Sequence, residues 1–270
     1  AQSLVKTSYR DPRMTFSTNS LGTLNVLEAL RYLKKKCTVI LITSDKSYKN
    51  LEIKRGYHEE DLLGGKDPYS ASKASAENIF NSYAKSYFYN QHKFGYATAR
   101  AGNVIGGGDF SKDRIIPDYI RSLLKKQKLV LRSPNSIRPW QHVIEPLYGY
   151  LLLLMKLHQK KILSGSSFNF GPNNNSNKSV NDVIVSMNKN FDNSVKIMKK
   201  TKISKKYSES KVLMLSSNKS KKKLNWKSKL NLEQSVKLTS SWFKNLREKK
   251  NRNIMKFTQD QIRNYLYEIK

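Results

Sequence analysis

The sequence predicts an α/β fold: a doubly wound parallel sheet followed by a smaller mixed α/β domain. Short β-branched or apolar runs, such as Thr38–Ile42 and Tyr96–Arg100, alternate with longer amphipathic segments. This alternation is typical of parallel strands joined by crossover helices. Polar side chains also follow directly after both runs, and open α/β sheets bind their ligands at that edge. The sequence therefore predicts a ligand site beyond these two strands.

The first part of the chain supplies two helices and two strands of this sheet. Leucines at spacings of three predict a helix from about Met14 to Lys36. The β-branched run at 38–42 predicts a buried strand. A second amphipathic segment predicts a helix from Tyr69 to about His92, and the strand at 96–100 follows it.

The remainder of the chain predicts shorter elements and a helical end. Apolar periodicity predicts helices at 114–127, 145–159, 179–190 and 231–248, and strands at 129–132, 168–170 and 195–198. The triple glycine Gly106–Gly108 lacks the spacing and the following helix of a dinucleotide fingerprint, so we predict a flexible turn there. The asparagine-rich segment 173–177 predicts a loop.

Composition limits the classes of function. With 270 residues and 38% hydrophobic content, the chain has apolar side chains for one large or two small domains. The formal net charge of +31 raises nucleic-acid binding as an alternative. However, the excess is mainly lysine, spread along the chain and dense from Lys199 to Lys223, and no helix-turn-helix, zinc-finger or RRM pattern accompanies it. We therefore interpret the charge as solvated surface and predict no nucleic-acid partner.

The cysteine, the histidines and the apolar runs of the sequence bear on its compartment, on metal binding and on membrane insertion. The single cysteine, Cys37, excludes an internal disulfide framework and suits a reducing compartment. The four histidines are scattered without metal-ligand spacing, so no metal site is predicted. The run Leu151–Leu154 is too short to span a membrane. These patterns predict a cytoplasmic protein without a membrane partner.

The candidate chemistry lies at the end of the first strand and the start of the second helix. Tyr69 and Lys73 are four residues apart, so they lie on one helix face. An ammonium beside a phenol favours the phenolate. If Ser44 at the strand end bonds the same oxygen, the group can act as a base at neutral pH. Other tyrosine–lysine pairs in the sequence have this spacing, but none of them follows a strand that ends in a serine. The alternative interpretation is that Tyr69 and Lys73 are an ordinary exposed pair on a helix.

Six ordered segments resemble the extended short-chain dehydrogenase/reductase family. They are Thr43–Tyr48, Gly65–Lys73, Arg100–Asp109, Arg138–Val143, Phe168–Pro172 and Phe257–Ile262. Within this family the chain resembles the nucleotide-sugar 4,6-dehydratases. The string from Arg138 to His142 and the triple glycine before Asp109 favour the branch that acts on CDP-sugars. The resemblance implies a Rossmann-like fold, NAD as cofactor, CDP-glucose as substrate, and a homodimer or higher homo-oligomer formed through the helices at 14–36 and 69–92.

The resemblance also implies a role for each site residue. Tyr69 would remove the C4 hydroxyl proton, while Lys73 would lower the pKa of the phenol and hold the nicotinamide ribose. Lys46 would remove the C5 proton and Asp45 would protonate the leaving C6 hydroxyl, with Ser44 within reach. The implied cofactor-binding residues are Tyr69, Lys73, Arg100 and Asn19. The implied substrate-binding residues are Asn103, Arg114, Arg138 and His142.

One departure from the family concerns the cofactor domain. The glycine-rich strand-turn-helix that wraps the NAD pyrophosphate has no counterpart in this sequence. We therefore expect the N-terminal half of that domain to be missing and the 270 residues alone to be inactive. The predicted cofactor half comprises 1–105, with 135–165 returning to it, and the predicted substrate domain comprises 106–134 and 166–270.

Two alternative functions stay open from the sequence. The inverting UDP-N-acetylglucosamine 4,6-dehydratases, or another nucleotide-sugar dehydratase or epimerase, resemble this chain in having an Asp-Lys pair. A non-catalytic basic binding protein is the second alternative. Its mark would be salt-dependent retention on DNA without formation of a keto sugar.

Overall fold

A computed structural model describes residues 1–89, 94–159, 163–173, 177–191, 195–199, 210–248 and 253–268. These residues form two compact units. Unit 1 comprises Ala1–Gly102, Leu147–Gly171 and Leu213–Lys227, and unit 2 comprises Asn103–Pro146, Pro172–Val212 and Ser228–Lys270. The domain boundaries predicted at residues 105, 134 and 165 remain a prediction.

Unit 1 is built on a three-stranded parallel sheet. In the order β1-β2-β7, its strands are β1 (Cys37–Ile42), β2 (Phe94–Ala101) and β7 (Ser166–Phe170). In the register, Val39 lies opposite Tyr96 and Ala99 lies opposite Phe168. β7 thus belongs to the same sheet as the two strands predicted from the first part of the chain.

Helices cover both faces of this sheet. They are α3 (Gly22–Tyr32) and α4 (Pro68–Tyr83) on one face, and α6 (Ile144–Gln159, in unit 1 from Leu147 onward) and α8 (Asn218–Leu224) on the other. Successive residues of β1 point to opposite faces, as the period of a strand requires. Val39 packs against the cluster that contains Leu27, whereas Ile40 packs against the cluster that contains Trp226. The unit therefore has two apolar layers, one on each side of the sheet.

The predicted helix at 14–36 is divided and ends earlier. α1 (Val5–Arg10) and α2 (Pro12–Phe16) lead into a π-helical turn at Ser17–Leu21, and α3 follows. Asp11 starts α2, because its Oδ1 accepts the Met14 amide at 2.8 Å. α3 ends at Tyr32 because Leu33 is already extended, with φ −69° and ψ 120°, and the chain turns toward β1.

The second predicted helix also contains a π-helical turn. Pro68 occupies the first turn of α4, and Oδ1 of Asp67 accepts the Ser70 amide at 3.1 Å, a strong N-terminal signal. A π-helical turn at Ala84–Phe88 continues it. The predicted end at His92 lies outside the described residues.

Unit 2 is a mixed α/β unit with one apolar core. The core includes side chains of α5 (Ile115–Leu124), α7 (Val180–Lys189) and α9 (Leu232–Glu248). Three strand pairs accompany these helices: β3 (Val104–Ile105) with β6 (Gln141–His142), β4 (Leu129–Leu131) with β9 (Ile197–Lys199), and β5 (Ile137–Pro139) with β8 (Asn177–Ser179). The first two pairs are parallel and the third is antiparallel.

Several elements of unit 2 differ from the prediction. α5 ends at Leu124 rather than at 127, because Lys126 adopts a positive φ of 53°. β8 begins at Asn177, which the prediction assigned to a loop, and α10 (Ile254–Glu268) was not predicted. The rest of the asparagine-rich segment at 174–176 and the lysine-rich stretch at 200–209 lie outside the described residues. None of the described helices combines the length and the apolar character needed to cross a bilayer.

Candidate active site

A short turn follows β1 and carries three of the predicted catalytic residues. Ser44 caps a 3₁₀ turn at Asp45–Ser47, and its Oγ accepts the Lys46 amide at 3.2 Å. The same hydroxyl donates to Oδ1 of Asp45 at 3.0 Å. Ser44 and Asp45 are buried and Lys46 is half-buried. We call residues Thr43–Lys46 the β1 tip; these hydrogen bonds hold the side chains of Ser44 and Asp45.

α4 brings Tyr69 and Lys73 to the β1 tip. The 3₁₀ turn packs against α4. Nζ of Lys73 donates to the backbone carbonyl of Ile42, the last residue of β1, at 3.3 Å. Tyr69 lies one helical turn before Lys73 and is also buried. All five residues predicted to be catalytic therefore lie at the junction of one strand end and one helix start.

The charge on Lys73 depends on its surroundings. Burial lowers the pKa of the Lys73 ammonium, and the charge of Glu77 acts in the opposite direction. Glu77 lies one turn further along α4, on the same face. Because a cationic lysine is what favours a phenolate at Tyr69, the carboxylate of Glu77 supports the charge state that this chemistry requires.

Arg100 does not have the cofactor-binding role that the sequence analysis predicted. It is buried in β2, and its five N–H groups are all used within unit 1. Nε and Nη2 each donate to Glu77 at 2.8 Å, and Nη2 also donates to Ser167 at 3.0 Å. Nη1 donates to the hydroxyl of Tyr48 at 2.8 Å and to the carbonyl of Glu59 at 3.1 Å. No donor remains for a cofactor, so Arg100 has a structural role.

Asn19 lies beside α4 and borders a cleft. Its Nδ2 donates to Oγ of Ser72 at 2.9 Å and to the carbonyl of Gln2 at 2.9 Å, while its Oδ1 accepts the Gln2 amide at 2.8 Å. The cleft has a volume of about 240 Å³. It is lined by residues of the π-helical turn, α3, β1 and α4, among them Asn19, Gly22, Thr43 and Lys73. Asn19 thus shares one cleft with the lysine of the candidate site.

Asn103 and Arg114, two of the predicted substrate-binding residues, lie in unit 2. The backbone carbonyl of Asn103 accepts the Gln141 amide at 3.1 Å, where β3 and β6 begin to pair. Arg114 pairs with Asp109 at 3.0 Å, and its side chain is 40% exposed. A partly exposed guanidinium can bind a phosphate group, and the substrate-binding role of Arg114 stays a prediction.

The other two, Arg138 and His142, are buried. Nη1 of Arg138 donates to the carbonyl of Ile137 at 2.8 Å and Nη2 donates to that of Ser210 at 2.6 Å. Nδ1 of His142 accepts the Ile144 amide at 3.4 Å, whereas its Nε2 is buried and has no hydrogen-bond partner among the described residues. Burial lowers the pKa of His142 to about 4. The imidazole is therefore neutral at neutral pH.

The sequence analysis missed Glu77, whose carboxylate connects several parts of the site. Glu77 accepts hydrogen bonds from Thr98 at 2.9 Å and from Thr43, the first residue of the β1 tip. A signal was available, because Glu77 follows Lys73 by four residues on the buried face of α4. A carboxylate at a buried helix position requires a cationic partner, and Arg100 in the adjacent strand is that partner.

A family model described as GDP-mannose 4,6 dehydratase matches residues 1–239. The chain belongs to this family. The predicted membership of the nucleotide-sugar dehydratases is therefore confirmed. Solved structures share the fold of this chain. UDP-glucuronic acid 4-epimerase from Bacillus cereus has a TM-score of 0.78 at 20% identity, over 91% of this chain and 74% of that one. The predicted Rossmann-like fold is confirmed.

Two curated relatives match part of this chain in sequence. A CDP-glucose 4,6-dehydratase from Salmonella typhimurium is 45% identical over 191 residues, which are 69% of this chain and 53% of the relative. A dTDP-D-glucose 4,6-dehydratase from Dictyostelium discoideum is 28% identical over 163 residues, 56% of this chain and 36% of the relative. The chain spans about half the length, or less, of these two curated relatives.

Proposed function

We propose that the protein containing this chain is an NAD-dependent CDP-glucose 4,6-dehydratase. The substrate assignment is supported by the 45% identity to the Salmonella typhimurium enzyme, against 28% to the dTDP-D-glucose enzyme. The reaction converts CDP-glucose to CDP-4-keto-6-deoxyglucose. It consists of oxidation at C4, elimination of water across C5 and C6, and return of the hydride to C6.

The site residues divide the proton transfers of this reaction. Tyr69 removes the C4 hydroxyl proton, assisted by the cationic Lys73 one turn along α4. The C4 ketone acidifies the C5 proton, and Lys46 removes that proton. Asp45 donates a proton to the leaving C6 hydroxyl, and the hydrogen bond from Ser44 holds the Asp45 carboxyl in place. Every group in this scheme comes from the β1 tip or from α4.

The cleft beside the site suits the nicotinamide end of the cofactor. It contains the Lys73 ammonium, which gives one of its three N–H groups to Ile42 and keeps two for ribose hydroxyls, and Oδ1 of Asn19, which can accept a further hydrogen bond. NAD⁺, when bound, would supply the acceptor and donor of the hydride. Lys73 would then hold the ribose while it keeps its hydrogen bond to Ile42. Arg100 has no part in this binding.

One observation supports the proposal most directly. The Lys73 ammonium lies 3.3 Å from the carbonyl that ends β1, so the tyrosine–lysine helix and the β1 tip share one site. An ordinary exposed tyrosine–lysine pair would not be buried against a strand end. The burial of both side chains therefore argues against the alternative that Tyr69 and Lys73 are an ordinary exposed helix pair.

The test uses the complete gene product that contains these 270 residues, purified and supplied with NAD⁺. CDP-glucose is expected to lose one water and give a 4-keto sugar, detected by mass spectrometry and by its alkaline chromophore. UDP-N-acetylglucosamine and dTDP-glucose are the comparison substrates. A faster reaction with UDP-N-acetylglucosamine would overturn the CDP-glucose assignment. No product from any sugar, together with salt-dependent retention on DNA, would favour the basic binding protein.

We also propose that the protein is a homodimer that pairs through α3 and the end of the α4 segment. Tyr32 at the end of α3 is 74% exposed and Tyr87 in the following π-helical turn is 44% exposed. Exposed aromatic side chains are typical of protein interfaces. Sedimentation is expected to give a dimer for the wild type and a monomer for Tyr32→Glu combined with Tyr87→Glu. A dimer that persists in the double variant would contradict this surface.

A further inference from the structure

Glu77 accepts hydrogen bonds from two threonines as well as from its ion-pair partner Arg100. Its carboxylate receives two hydrogen bonds from Arg100 at 2.8 Å, one from Thr98 at 2.9 Å and one from Thr43. The side chain is fully buried. A buried carboxylate has about four acceptor sites; Arg100 fills two of them, and the hydroxyls of Thr98 and Thr43 fill others.

The two threonines lie in different elements of unit 1. Thr98 lies inside β2, where a hydroxyl bonded to Glu77 contributes to the packing of the sheet against α4. Thr43 instead begins the β1 tip, directly before Ser44, and its hydroxyl is held by the same carboxylate. A shift of Thr43 would carry Ser44 and Asp45 with it. Glu77 therefore connects α4 to the residues that would perform the proton transfers.

The same carboxylate also lies near Lys73. Glu77 lies four residues after Lys73, on the same face of α4, and its charge opposes the effect of burial on the Lys73 ammonium. One side chain thus acts on the β1 tip through a hydrogen bond and on Lys73 through its charge. Arg100 fixes the carboxylate between them.

We infer that Glu77 is a positioning residue, which holds Thr43 at the β1 tip and acts on Lys73 from the same face of α4. The inference rests on the proposed function, because it assigns Glu77 a role in that site. It extends the site by a group that touches neither substrate nor cofactor. A purely structural carboxylate would stabilise the fold without any effect on Lys73.

Other titratable groups lie on α4 and on the elements packed against it. On α4 these are Tyr69, Glu77 and Tyr83. The packed elements carry Lys6, Tyr9, Arg10, Arg13, Glu28, Arg31, Tyr32, Asp45, Lys46, Lys85 and Tyr87. Arg100 is hydrogen-bonded to Glu77. Glu77 is the charge that raises the pKa of Lys73 against burial.

The first experiment titrates Lys73 directly and needs no catalytic activity. The gene product is labelled with [ε-¹³C]lysine, and the Lys73 resonance is assigned by its loss in Lys73→Arg. In Glu77→Gln the titration of Lys73 is expected to move to lower pH. Glu59→Gln is the matched control, because Glu59 is also a buried carboxylate but accepts the Asn169 amide at 2.8 Å. An unchanged Lys73 titration in folded Glu77→Gln, or an equal shift in Glu59→Gln, would overturn the inference.

The second experiment separates the two threonines kinetically and covers the case in which Glu77→Gln does not fold. Thr43→Val and Thr98→Val each remove one hydroxyl from the Glu77 carboxylate. Thr43→Val is expected to lower kcat about five- to tenfold with little change in KM, because one hydrogen bond that positions the β1 tip is lost. Thr98→Val is expected to change kcat less than about twofold, since Thr98 is not part of the β1 tip. Equal losses of kcat in the two variants would mean that Glu77 acts only on the fold.

The two proposals fail in different ways. If the wild type converts no nucleotide sugar, the proposed function fails, and the Lys73 titration still decides the inference. If the wild type is active but Lys73 titrates identically in the wild type and in Glu77→Gln, the inference about Glu77 fails and the proposed function stands.

Discussion

Arg100 and Glu77 form a bidentate ion pair in the interior of unit 1, with both nitrogen–oxygen distances at 2.8 Å. Their side chains are 2% and 0% exposed. Burial opposes the charge on each group, yet hydrogen bonding and the opposite charge prevail. The pKa of Glu77 is therefore lowered and that of Arg100 is raised. Both groups stay charged at neutral pH, so each depends on the other.

The first prediction concerns the stability that depends on this pair. Arg100→Met leaves the Glu77 carboxylate buried without its cation, and we expect a loss of about 3–5 kcal/mol in the free energy of unfolding. Adding Glu77→Leu removes the unpaired charge and is expected to restore part of that loss. Urea unfolding of the two single variants and the double variant measures the coupling. Additive losses would show that the two side chains are not coupled.

The direction of the Arg100 side chain could have been deduced from the sequence. In β2 the residues alternate between faces, so Tyr96, Thr98 and Arg100 share one side of the sheet. Tyr96 packs in the cluster on the α3 and α4 face, and Thr98 and Arg100 both bond to Glu77 of α4. The prediction gave Arg100 a cofactor-binding role from the family resemblance and did not use this alternation. By contrast, the strand and helix periods were sufficient to predict that the β1 tip lies beside Tyr69 and Lys73, whereas the roles proposed for Asp45 and Lys46 came from the family resemblance.

The π-helical turns could not be deduced from leucine spacing. The leucines at positions 21, 24, 27, 30 and 33 predict one apolar face over a continuous helix. The turn at Ser17–Leu21 contains a wider hydrogen-bonded loop, which rotates the faces before and after it. Leu27 is 1% exposed, whereas Leu21, which lies six residues earlier and about 240° away around the helix axis, is 52% exposed. Periodicity assumes a constant pitch, and a single π turn changes that pitch without a mark in the composition.

The second prediction compares two helical glycines in unit 1. A Cβ on Gly149 would lie 2.4 Å from the Phe170 ring and 3.0 Å from Nε1 of Trp226, whereas a Cβ on Gly22 would lie 3.9 Å from its nearest neighbour. Gly149→Ala is therefore expected to lose about 1–3 kcal/mol through overpacking. Gly22→Ala is expected to gain about 0.5–1 kcal/mol through helix propensity. Thermal unfolding of both variants tests the contrast, and equal stabilities would contradict the close packing around Gly149.

The third prediction concerns His142 and acid. Burial lowers the pKa of His142 to about 4, from an ordinary value of 6.5. The unfolded chain therefore binds the proton first as the pH falls. The contribution to stability is complete above about pH 6.5 and is lost as the pH falls toward 4, with a total of about 3 kcal/mol.

Replacing His142 tests this loss. In His142→Asn the free energy of unfolding is expected to depend less on pH between about 6.5 and 4 than it does in the wild type. Other groups titrate in the same range, so the quantity to compare is the difference between variant and wild type, measured by urea unfolding at several pH values. His58→Asn is the control, since His58 is exposed. A wild-type slope equal to that of His142→Asn would show that the imidazole is not protected from protonation in the folded state.

The fourth prediction separates the two proton transfers that the proposed function assigns to lysine and tyrosine. Tyr69→Phe removes the phenol that takes the C4 hydroxyl proton, and Lys46→Ala removes the amine that takes the C5 proton. Each is expected to lower kcat about 10²–10⁴-fold, the usual contribution of a positioned acid or base. Lys49→Ala is the matched control, because Lys49 lies three residues beyond Lys46 in an exposed position. We expect its kcat to stay within about twofold of the wild type.

The exchange of the C5 proton with solvent distinguishes the two losses. In deuterium oxide the wild type is expected to place deuterium at C5 of the product, because the base at position 46 exchanges its proton with solvent. Supplying CDP-4-keto-6-deoxyglucose directly bypasses the oxidation step that needs Tyr69. Tyr69→Phe should therefore still exchange the C5 proton of this compound with solvent, whereas Lys46→Ala should not. Exchange that survives in Lys46→Ala and disappears in Tyr69→Phe would reverse the assignment, and the roles at the β1 tip and at α4 would have to be interchanged.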